Sequence, residues 1–401
     1  MLRGNEHAPG AGGERLGREA PAVHALAREA DEQVAGGDGA RVDADADGSL
    51  ARGWRRELSA KVVGVTGSTG KTSTKDILRA VLAPHVPTVA SEANLNTDIG
   101  LPLAVLRAPA GTRALVLEVA MRAPGEIAEL TAIAEPDVGV ILNVGPVHLE
   151  LLGSLEAIAA VKAELIAGLA PGTTVVVPAD EPLLAPHLRH DLRTVTFGGD
   201  GDVRLQAAEG QRVTIAAPGE RIELEVDFEQ AHFRLNLLAA VAAALAIGVR
   251  PSGRVEVAFS ALRGERLELD DDVLVINDCY NANPMSMRAA LDDLAAVARG
   301  RRVAVLGDML ELGPRAEEYH AELGRHAAER GVDLLVTVGP LSAAMAGAFG
   351  GEAYSVADAG EAAALVPELL APGDTVLVKA SRGIGLEVVA EALSGAAEAS
   401  A

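Results

Sequence analysis

The sequence predicts an α/β protein, in which a central parallel-sheet domain is followed by a smaller, doubly wound, Rossmann-like C-terminal domain. From Lys61 onward, short β-branched apolar runs (KVVGVT, ALVLEVA, VGVILNV, TTVVVP, then VLVIND, RVAVLG, DLLVTVG, DTVLVKA) alternate with Ala- and Leu-rich segments. Apolar strands separated by helices are typical of a parallel sheet covered on both faces. A polar region at 203–228 is expected to be antiparallel, and a long helix at 232–248 follows it.

The chain of 401 residues is too long for one ordinary core and divides into three parts. Residues 1–57 are predicted to be a degenerate or disordered N-terminal extension. Residues 1–49 contain no aromatic residue, few branched aliphatic residues and the acidic run GGDGARVDADADG. Residues 58–260 are predicted to form the central domain and residues 261–401 the C-terminal domain, with the boundary at 260–264.

Composition limits the classes of function. The formal net charge of −22 argues against a general nucleic-acid binder, because phosphate backbones are bound by clustered Lys and Arg. The single cysteine, Cys279, excludes an intramolecular disulfide framework and favours a reducing compartment. No apolar run approaches the roughly 18–20 residues of a membrane span, and the first residues lack the apolar stretch of a secretory signal. We therefore expect a cytoplasmic protein, and we expect it to be a monomer.

The segment KVVGVTGSTGKTSTKDIL predicts a strand, a glycine-bearing loop and a helix that together bind the phosphates of ATP. Gly67 and Gly70 allow successive N–H groups to point at phosphate oxygens, Lys71 reaches the β- and γ-phosphates, and the Thr72 hydroxyl binds magnesium. Val65 stands where the strict motif has its first glycine, so an ordinary βα turn is the alternative. The residues predicted to contact the nucleotide here are Gly67, Ser68, Thr69, Gly70, Lys71, Thr72 and Ser73. This makes the central domain a P-loop ATPase domain.

Three further side chains follow strand ends, where ligands bind in open α/β sheets. Glu118 ends the apolar strand ALVLE, where a carboxylate is costly unless it meets a cation. His148 follows VILNVGP, and Lys162 lies on the next helix. Taken singly, each has an ordinary explanation, as a capping carboxylate, a loop histidine and an exposed helix lysine. A phosphate loop alone does not distinguish a kinase, a GTPase, an ATPase or a ligase.

Together with the phosphate loop, these residues resemble the Mur ligase family, which builds the peptide stem of bacterial peptidoglycan. The resemblance covers about residues 50–401. It rests on TGSTGKTSTKD, ANLNTDIGLP, LEVAMRAPGEIAEL, NVGPVHLELLGSLEAIAAVKAEL, DCYNANPMSM, VLGDMLELG and VKASRGIG. DCYNANPMSM and VLGDMLELG are most similar to the branch that adds D-alanyl-D-alanine to UDP-N-acetylmuramoyl-tripeptide. The resemblance implies an ATP-dependent amide-bond ligase that forms an acyl phosphate, and these two small-molecule substrates.

The resemblance also implies a role for each matching residue. Lys71, Glu118, His148 and Lys162 would be catalytic. Thr72 and Glu118 would hold one magnesium ion, and Glu118, His148 and Lys162 a second, with Lys162 converted to a carbamate. A carbamate is an anionic oxygen ligand of the kind that magnesium prefers.

Further residues would bind the nucleotide and the incoming dipeptide. Asn236, and His232 beside it, match a segment near the adenine in which Phe233 replaces the usual Asn. Arg266 would lie near the phosphates. Asp278 and Asn281 would contact the nucleotide from the C-terminal domain. The residues that would bind the dipeptide are Lys379, Ser381 and Arg382.

The family carries an N-terminal domain for the UDP-sugar, and here only SLARGWRRELSAKVV resembles its exit segment. We therefore expect this domain to be largely missing, with weaker binding of the UDP-linked substrate and retained binding of ATP. Two alternatives stay open from the sequence. One is another Mur-type or folylpolyglutamate-type amide ligase, and the other is a truncated, non-catalytic ATP-binding form.

Overall fold

The structure is a computed structural model that describes residues 44–92 and 95–400. Most of the predicted N-terminal extension, residues 1–43, therefore lies outside the described residues. Within the described part, no helix is long and apolar enough to cross a membrane.

The first part of the described chain contains one parallel and one largely antiparallel sheet. Its helices are α1 (Ala44–Glu57), α2 (Lys71–Leu82), α3 (Gly100–Leu106), α4 (Glu126–Ala134), α5 (Leu149–Leu152), α6 (Leu155–Lys162), α7 (Glu164–Gly168) and α8 (Ala231–Ala246). Its strands are β1 (Lys61–Thr66), β2 (Thr88–Ala90), β3 (Ala114–Glu118), β4 (Val138–Ile141), β5 (Thr174–Pro178), β6 (Arg193–Phe197), β7 (Arg204–Glu209), β8 (Arg212–Ala217), β9 (Glu220–Val226) and β10 (Gly253–Val255).

The second part contains one further sheet and the helices that cover it. Its helices are α9 (Pro284–Val297), α10 (Ala316–Glu329), α11 (Ala343–Phe349), α12 (Ala359–Leu369) and α13 (Glu387–Ser400). Its strands are β11 (Glu265–Glu268), β12 (Leu274–Asn277), β13 (Arg302–Gly307), β14 (Leu334–Val338), β15 (Glu352–Val356) and β16 (Thr375–Lys379). Short 3-10 turns span Pro182–His187, Asp270–Asp272, Gly313–Arg315 and Arg382–Ile384.

The central sheet has the strand order β2-β3-β1-β4-β5-β6, and every pairing in it is parallel. Its inner strands are apolar because both of their faces are buried, and a separate apolar cluster packs on each face. The strand order reverses beside β1, so the loops after β1, β3 and β4 meet at one edge of the sheet. The predicted parallel-sheet domain is confirmed.

The second sheet has the order β10-β9-β8-β7, and β7, β8 and β9 pair antiparallel, as expected for residues 203–228. Helix α8 packs against α2 and against β4, β5 and β6 of the central sheet, and it shares one apolar cluster with the second sheet. It is apolar almost all round, because ten of its sixteen residues are buried between these layers.

The C-terminal sheet has the order β11-β12-β16-β13-β14-β15, with only β11 antiparallel to its neighbour. Apolar clusters cover both faces, which confirms the doubly wound prediction. The loops after β12, β16 and β13 project from adjacent carboxyl ends, so the motifs DCYNANP, VKASRG and VLGDMLELG lie side by side.

Helix α1 packs on the central sheet's outer helices, although residues 1–57 were predicted to be an extension. Trp54 Nε1 donates to Ala108 O at 2.9 Å, and Arg55 pairs with Asp137 at 3.0 Å. Ala51 is fully buried. The contact uses the Trp54 indole, the Arg55 guanidinium and the small side chain of Ala51. Residues 44–57 therefore pack as part of the central unit.

The two parts of the chain are in contact near residues 260–264. Ser260 donates to Asp76 Oδ2 through both its backbone N–H and its hydroxyl, each at 2.9 Å. Asp76 lies on α2, which carries the phosphate loop at its N-terminus. A Cβ on Gly145 would lie 2.0 Å from Met285 Sδ on α9, so the two parts of the chain approach closely here. The C-terminal domain therefore packs directly on the edge of the central sheet where the site residues lie.

Candidate active site

The predicted phosphate loop joins β1 to α2 at the carboxyl edge of the central sheet. Ser68 N donates to Asn143 O at 3.2 Å, and Thr69 N donates to Asn143 Oδ1 at 3.0 Å. The Ser68 hydroxyl exchanges two hydrogen bonds with the backbone of Gly145, at 2.8 and 3.0 Å. The segment after β4 thus fixes the loop, and the free N–H groups that begin α2 form an anion site.

Two glycines are required by this geometry. Gly70 has a φ of 82°, and a Cβ there would lie 2.9 Å from Asn236 Oδ1. A Cβ on Gly67 would lie 2.9 Å from the Cβ of Leu142. The loop backbone therefore packs against α8 on one side and against the end of β4 on the other, with no room for side chains.

Lys71 folds back over its own loop, where Nζ donates to Gly67 O at 2.9 Å. Burial lowers the pKa of this ammonium, and the nearby charge of Arg263 lowers it further, while Glu118 opposes the change. A desolvated cation is stabilised by an anionic partner. The position therefore favours binding of a phosphate.

Glu118 lies at the end of β3 and is 2% exposed. Its Oε2 accepts from the Thr72 hydroxyl at 2.9 Å, and its Oε1 accepts from Asn96 Nδ2 at 2.9 Å. Arg263 Nη2 donates to the same Thr72 hydroxyl at 3.2 Å. A carboxylate and a hydroxyl held together at the loop are oxygen ligands that suit magnesium.

Lys162 is also 2% exposed, at the end of α6. Burial sets its pKa well below the ordinary value, and the charge of Lys71 adds to the effect. No recorded hydrogen bond between described residues involves Lys162 Nζ. The neutral amine is the form that reacts with CO₂, and burial favours that form of Lys162, so the site fits a carbamate.

His148 follows β4, and the charges of Glu311, Lys71 and Lys162 act on its ring. Burial lowers the pKa of His148; Glu311 opposes the shift, and Lys71 and Lys162 add to it. Within residues 44–92 and 95–400, no three His, Cys, Asp or Glu side chains cluster as a metal site. The Thr72 hydroxyl and a modified Lys162 are further groups here that could serve as ligands beside Glu118 and His148.

A cavity of about 190 Å³ lies between the phosphate loop and the C-terminal domain. Its lining includes Thr69, Ser73, Asn143, Asn236, Arg263 and Asp278. Both parts of the chain therefore line the space next to the loop.

Phe233, which stands where the family has an asparagine, belongs to an aromatic cluster. Its ring stacks on Phe259 at 4.4 Å between centroids and meets Phe228 edge-on at 5.9 Å. It is therefore a core residue. Asn236, one turn further along α8, contacts Gly70 and supplies the amide on this face.

His232 gives a testable pH dependence. Burial lowers its pKa to about 4 from 6.5, with Asp278 opposing and Lys379 adding to the shift. Between those pH values the unfolded chain binds a proton that the folded chain does not, so stability falls as pH drops from 6.5 and levels off below 4. The loss is at most about 3 kcal/mol, and partial exposure reduces it.

We expect urea unfolding between pH 8 and 4.5 to show that His232→Gln removes this loss. The variant should gain on the wild type as the pH falls. Parallel stability curves for the two proteins would contradict the assignment.

The arginine that reaches the phosphate loop is Arg263, three residues before the predicted Arg266. Arg266 instead pairs with Asp293 on α9, at 3.1 Å. Arg263 stacks over the Tyr280 ring, with its guanidinium carbon 3.9 Å from the centroid. Arg263 precedes Gly264, whose φ of 70° turns the chain into β11, and this turn separates the two arginines.

The predicted nucleotide contacts Asp278 and Asn281 are joined to Lys379, a predicted dipeptide contact. Lys379 is 1% exposed. Its Nζ donates to Asp278 Oδ2 at 2.7 Å, to Asp278 O at 3.2 Å and to Asn281 O at 2.9 Å. All three donors are used, so in this arrangement Lys379 holds the DCYNANP loop.

The other predicted dipeptide residues differ in exposure. Ser381 is buried, and its hydroxyl accepts from Leu310 N at 3.0 Å. Arg382 is exposed and donates to Glu387 at 2.8 Å.

Asp308, in the segment VLGDMLELG, accepts a hydrogen bond from Ser342 N at 2.7 Å. It therefore holds the start of α11, a helix that is distant in the sequence.

Sequence reasoning missed several residues of the site. Asn96, Asn143 and Glu311 hold Glu118, the phosphate loop and His148, respectively. All three lie inside the segments that carry the resemblance, or next to them. Their contacts join residues that are far apart in the sequence, so no local pattern indicated them.

Comparison with known proteins identifies related chains. The family model of the Mur ligase middle domain matches residues 65–244, and that of the Mur ligase glutamate ligase domain matches residues 262–382. The UDP-N-acetylmuramoyl-tripeptide--D-alanyl-D-alanine ligase of Bacillus subtilis is 37% identical over 358 residues, which cover 86% of this chain and 78% of that relative.

Two solved structures are similar throughout both domains. A crystal structure of MurF from Acinetobacter baumannii has a TM-score of 0.81 and 30% identity, and the match covers 88% of this chain and 80% of that one. MurF ligase from Thermotoga maritima, in complex with ADP, has a TM-score of 0.79 and 30% identity, with coverage of 90% and 86%.

Proposed function

We propose that this chain, which belongs to the Mur ligase family, joins D-alanyl-D-alanine to UDP-N-acetylmuramoyl-tripeptide and converts ATP to ADP and phosphate in the same reaction. The relatives and neighbours named above carry this activity or the MurF name. The observation that carries the proposal is the buried Lys162 amine, whose pKa is lowered by burial and by the charge of Lys71. A simple nucleotide binder has no use for such a group.

The reaction follows from the groups at the site. A carboxylate oxygen of the tripeptide attacks the γ-phosphorus, a P–O bond forms, and the bond to the β-phosphate oxygen breaks to release ADP. The amine of D-alanyl-D-alanine then attacks the acyl carbon and loses a proton. The new C–N bond replaces the C–O bond to phosphate, which leaves. Lys71 and the N–H groups of the loop offset the negative charge that opposes the first step.

We infer that two magnesium ions take part, one held by Thr72 and Glu118 and one by Glu118, His148 and a carbamylated Lys162. The buried pair of oxygen donors and the lowered pKa of the Lys162 amine support this ligand set. When bound, the ions would supply electrostatic stabilisation of the phosphates.

The same geometry supports further assignments. We assign the nucleotide to the cavity lined by Asn236, Arg263 and Asp278, and the dipeptide to the adjacent loops at Ser381 and Arg382. We place the domain boundary at 260–264, where Ser260 donates hydrogen bonds to Asp76 on α2. We infer that a monomer acts in the cytoplasm, where ATP is available.

Phosphate release tests the proposal. With ATP, Mg²⁺ and UDP-N-acetylmuramoyl-tripeptide, release should depend on added D-alanyl-D-alanine. Mass spectrometry should detect the pentapeptide product. L-alanyl-L-alanine is the matched control. Bound ATP with no release in the presence of both substrates would overturn the proposal and favour a non-catalytic ATP-binding form.

A further inference from the structure

A carboxylate of the C-terminal domain contacts the predicted metal ligand of the central domain. Glu311 lies in the loop after β13, in the segment VLGDMLELG, and its carboxylate is paired with Nδ1 of His148. The backbones also meet, because Glu150 N donates to Glu311 O at 3.2 Å. A Cβ on Gly313 would lie 3.2 Å from the Glu150 Cα. The side-chain contact is thus supported by two close backbone approaches.

Both paired residues have unusual backbones. His148 has a φ of 52° and Glu311 a φ of 62°, in the left-handed region that favours glycine. This conformation costs a non-glycine residue on the order of 1 kcal/mol, and such strain tends to lie at functional sites. Here it places two side chains from different domains against each other.

The loop that carries Glu311 is fixed at each preceding residue. Asp308 accepts from Ser342 N at 2.7 Å, and Met309 N donates to the fully buried His320 at 2.9 Å. Leu310 N donates to the Ser381 hydroxyl at 3.0 Å. Glu311 is therefore presented by a rigid loop, and its position follows that of the whole C-terminal domain.

The contact decides which ring nitrogen of His148 is free. Its Nδ1 is taken by the carboxylate, which leaves Nε2. Histidines that bind metals generally give their other ring nitrogen to a carboxylate, which fixes the orientation and the tautomer of the ring. The charges of Lys71 and Lys162 both act on this ring.

We propose that Glu311 is a positioning residue that orients His148 for metal binding only when the C-terminal domain packs on the central domain. This inference rests on the proposed function, because it takes His148 as a magnesium ligand. Docking of the C-terminal domain and completion of the metal site are then one event. Metal affinity should depend on Glu311, although this carboxylate is not itself a ligand.

Binding of Mn²⁺ tests the proposal without turnover. Titration by electron paramagnetic resonance, with a β,γ-imido analogue of ATP present, measures the affinity of each site. Glu311→Ala should weaken the His148-dependent site about 10–100-fold and leave affinity for the analogue unchanged. Glu311→Gln keeps a hydrogen-bond acceptor and should recover most of the loss. Glu317→Gln, on the exposed start of α10, is the matched control.

A double-mutant cycle separates positioning from general support of the fold. In a His148→Ala background, Glu311→Ala should have no further effect on Mn²⁺ affinity. Equal weakening in both backgrounds, or unchanged affinity in Glu311→Ala, would overturn the proposal. A wild-type protein with no His148-dependent Mn²⁺ site would also overturn it. Phosphate release by that protein would then show that the ligase function stands without this metal site.

Discussion

Replacement of Lys162 by methionine is expected to lower kcat about 10³-fold or more, while the folded protein stays as stable as the wild type or becomes more stable. The two effects have one cause. Lys162 is buried, burial lowers the pKa of its amine, and no recorded hydrogen bond of the described residues stabilises its charge. Methionine fills a similar volume and has no charge to desolvate.

The stability effect has a defined pH window. The pKa of Lys162 is 10.5 in the unfolded chain and lies well below this value in the folded protein. At a pH between these two pKa values, the unfolded chain binds a proton that the folded chain does not. The folded wild type is therefore penalised below pH 10.5, and the penalty shrinks as pH rises toward it. In CO₂-free buffer, the advantage of Lys162→Met in thermal unfolding should be largest near neutral pH.

Lys75 is the matched control, because it is also buried but is paired. Its Nζ lies 3.0 Å from Asp76 and donates to Ser91 O at 2.8 Å. Lys75→Met leaves the Asp76 carboxylate buried without its cation, which should cost about 3–5 kcal/mol. The two Lys→Met changes, both at buried lysines, should thus shift stability in opposite directions.

The carbamate can be observed directly. Wild-type protein in ¹³C-bicarbonate should show a carbamate signal that Lys162→Met lacks. A variant that retains a tenth or more of the wild-type kcat would rule out a catalytic Lys162. A variant that loses kcat together with several kcal/mol of stability would show that Lys162 supports the fold.

The sequence was informative wherever a pattern is local. Apolar strands predicted both parallel sheets, and GSTGKT predicted the phosphate loop with its two glycines. Lys162 was proposed from a resemblance, and its burial explains why a lysine there differs from an exposed helix lysine. The strands and the phosphate loop depend on residues that are close in the chain, so periodicity and spacing reveal them.

What the sequence did not predict depends on packing between distant segments. The docking of α1 through Trp54 and Arg55 follows from the shape of the central domain. The pairing of His148 with Glu311 spans 163 residues and requires both domains to be in place. Arg266 was predicted to lie near the phosphates, whereas Arg263 is the residue that contacts Thr72. The turn at Gly264, which lies between these two arginines, has no separate signal in RGERLE.

The second large effect on kcat is expected for replacement of Arg263. Arg263→Ala should lower kcat about 10²–10³-fold, because one preorganised donor to the reacting phosphates is lost. Arg263 Nη2 reaches Thr72, and its Nε is buried with no hydrogen-bond acceptor among the described residues. A guanidinium presented in this way is suited to an incoming phosphate oxygen. Arg263→Lys keeps the charge without the planar fork, so its kcat should be intermediate.

Arg266→Ala is the matched control, three residues away in the same segment. Arg266 pairs with Asp293. Burial raises the pKa of this carboxyl group, and the charge of Arg266 makes the rise smaller. Its removal should therefore reduce stability and change kcat less than about tenfold, because the lost partner is a carboxylate of α9 rather than a phosphate. Phosphate release and thermal unfolding measured on both variants separate the two roles. A loss of kcat in Arg266→Ala as large as that in Arg263→Ala would mean that Arg266 moves to the phosphates when substrate binds.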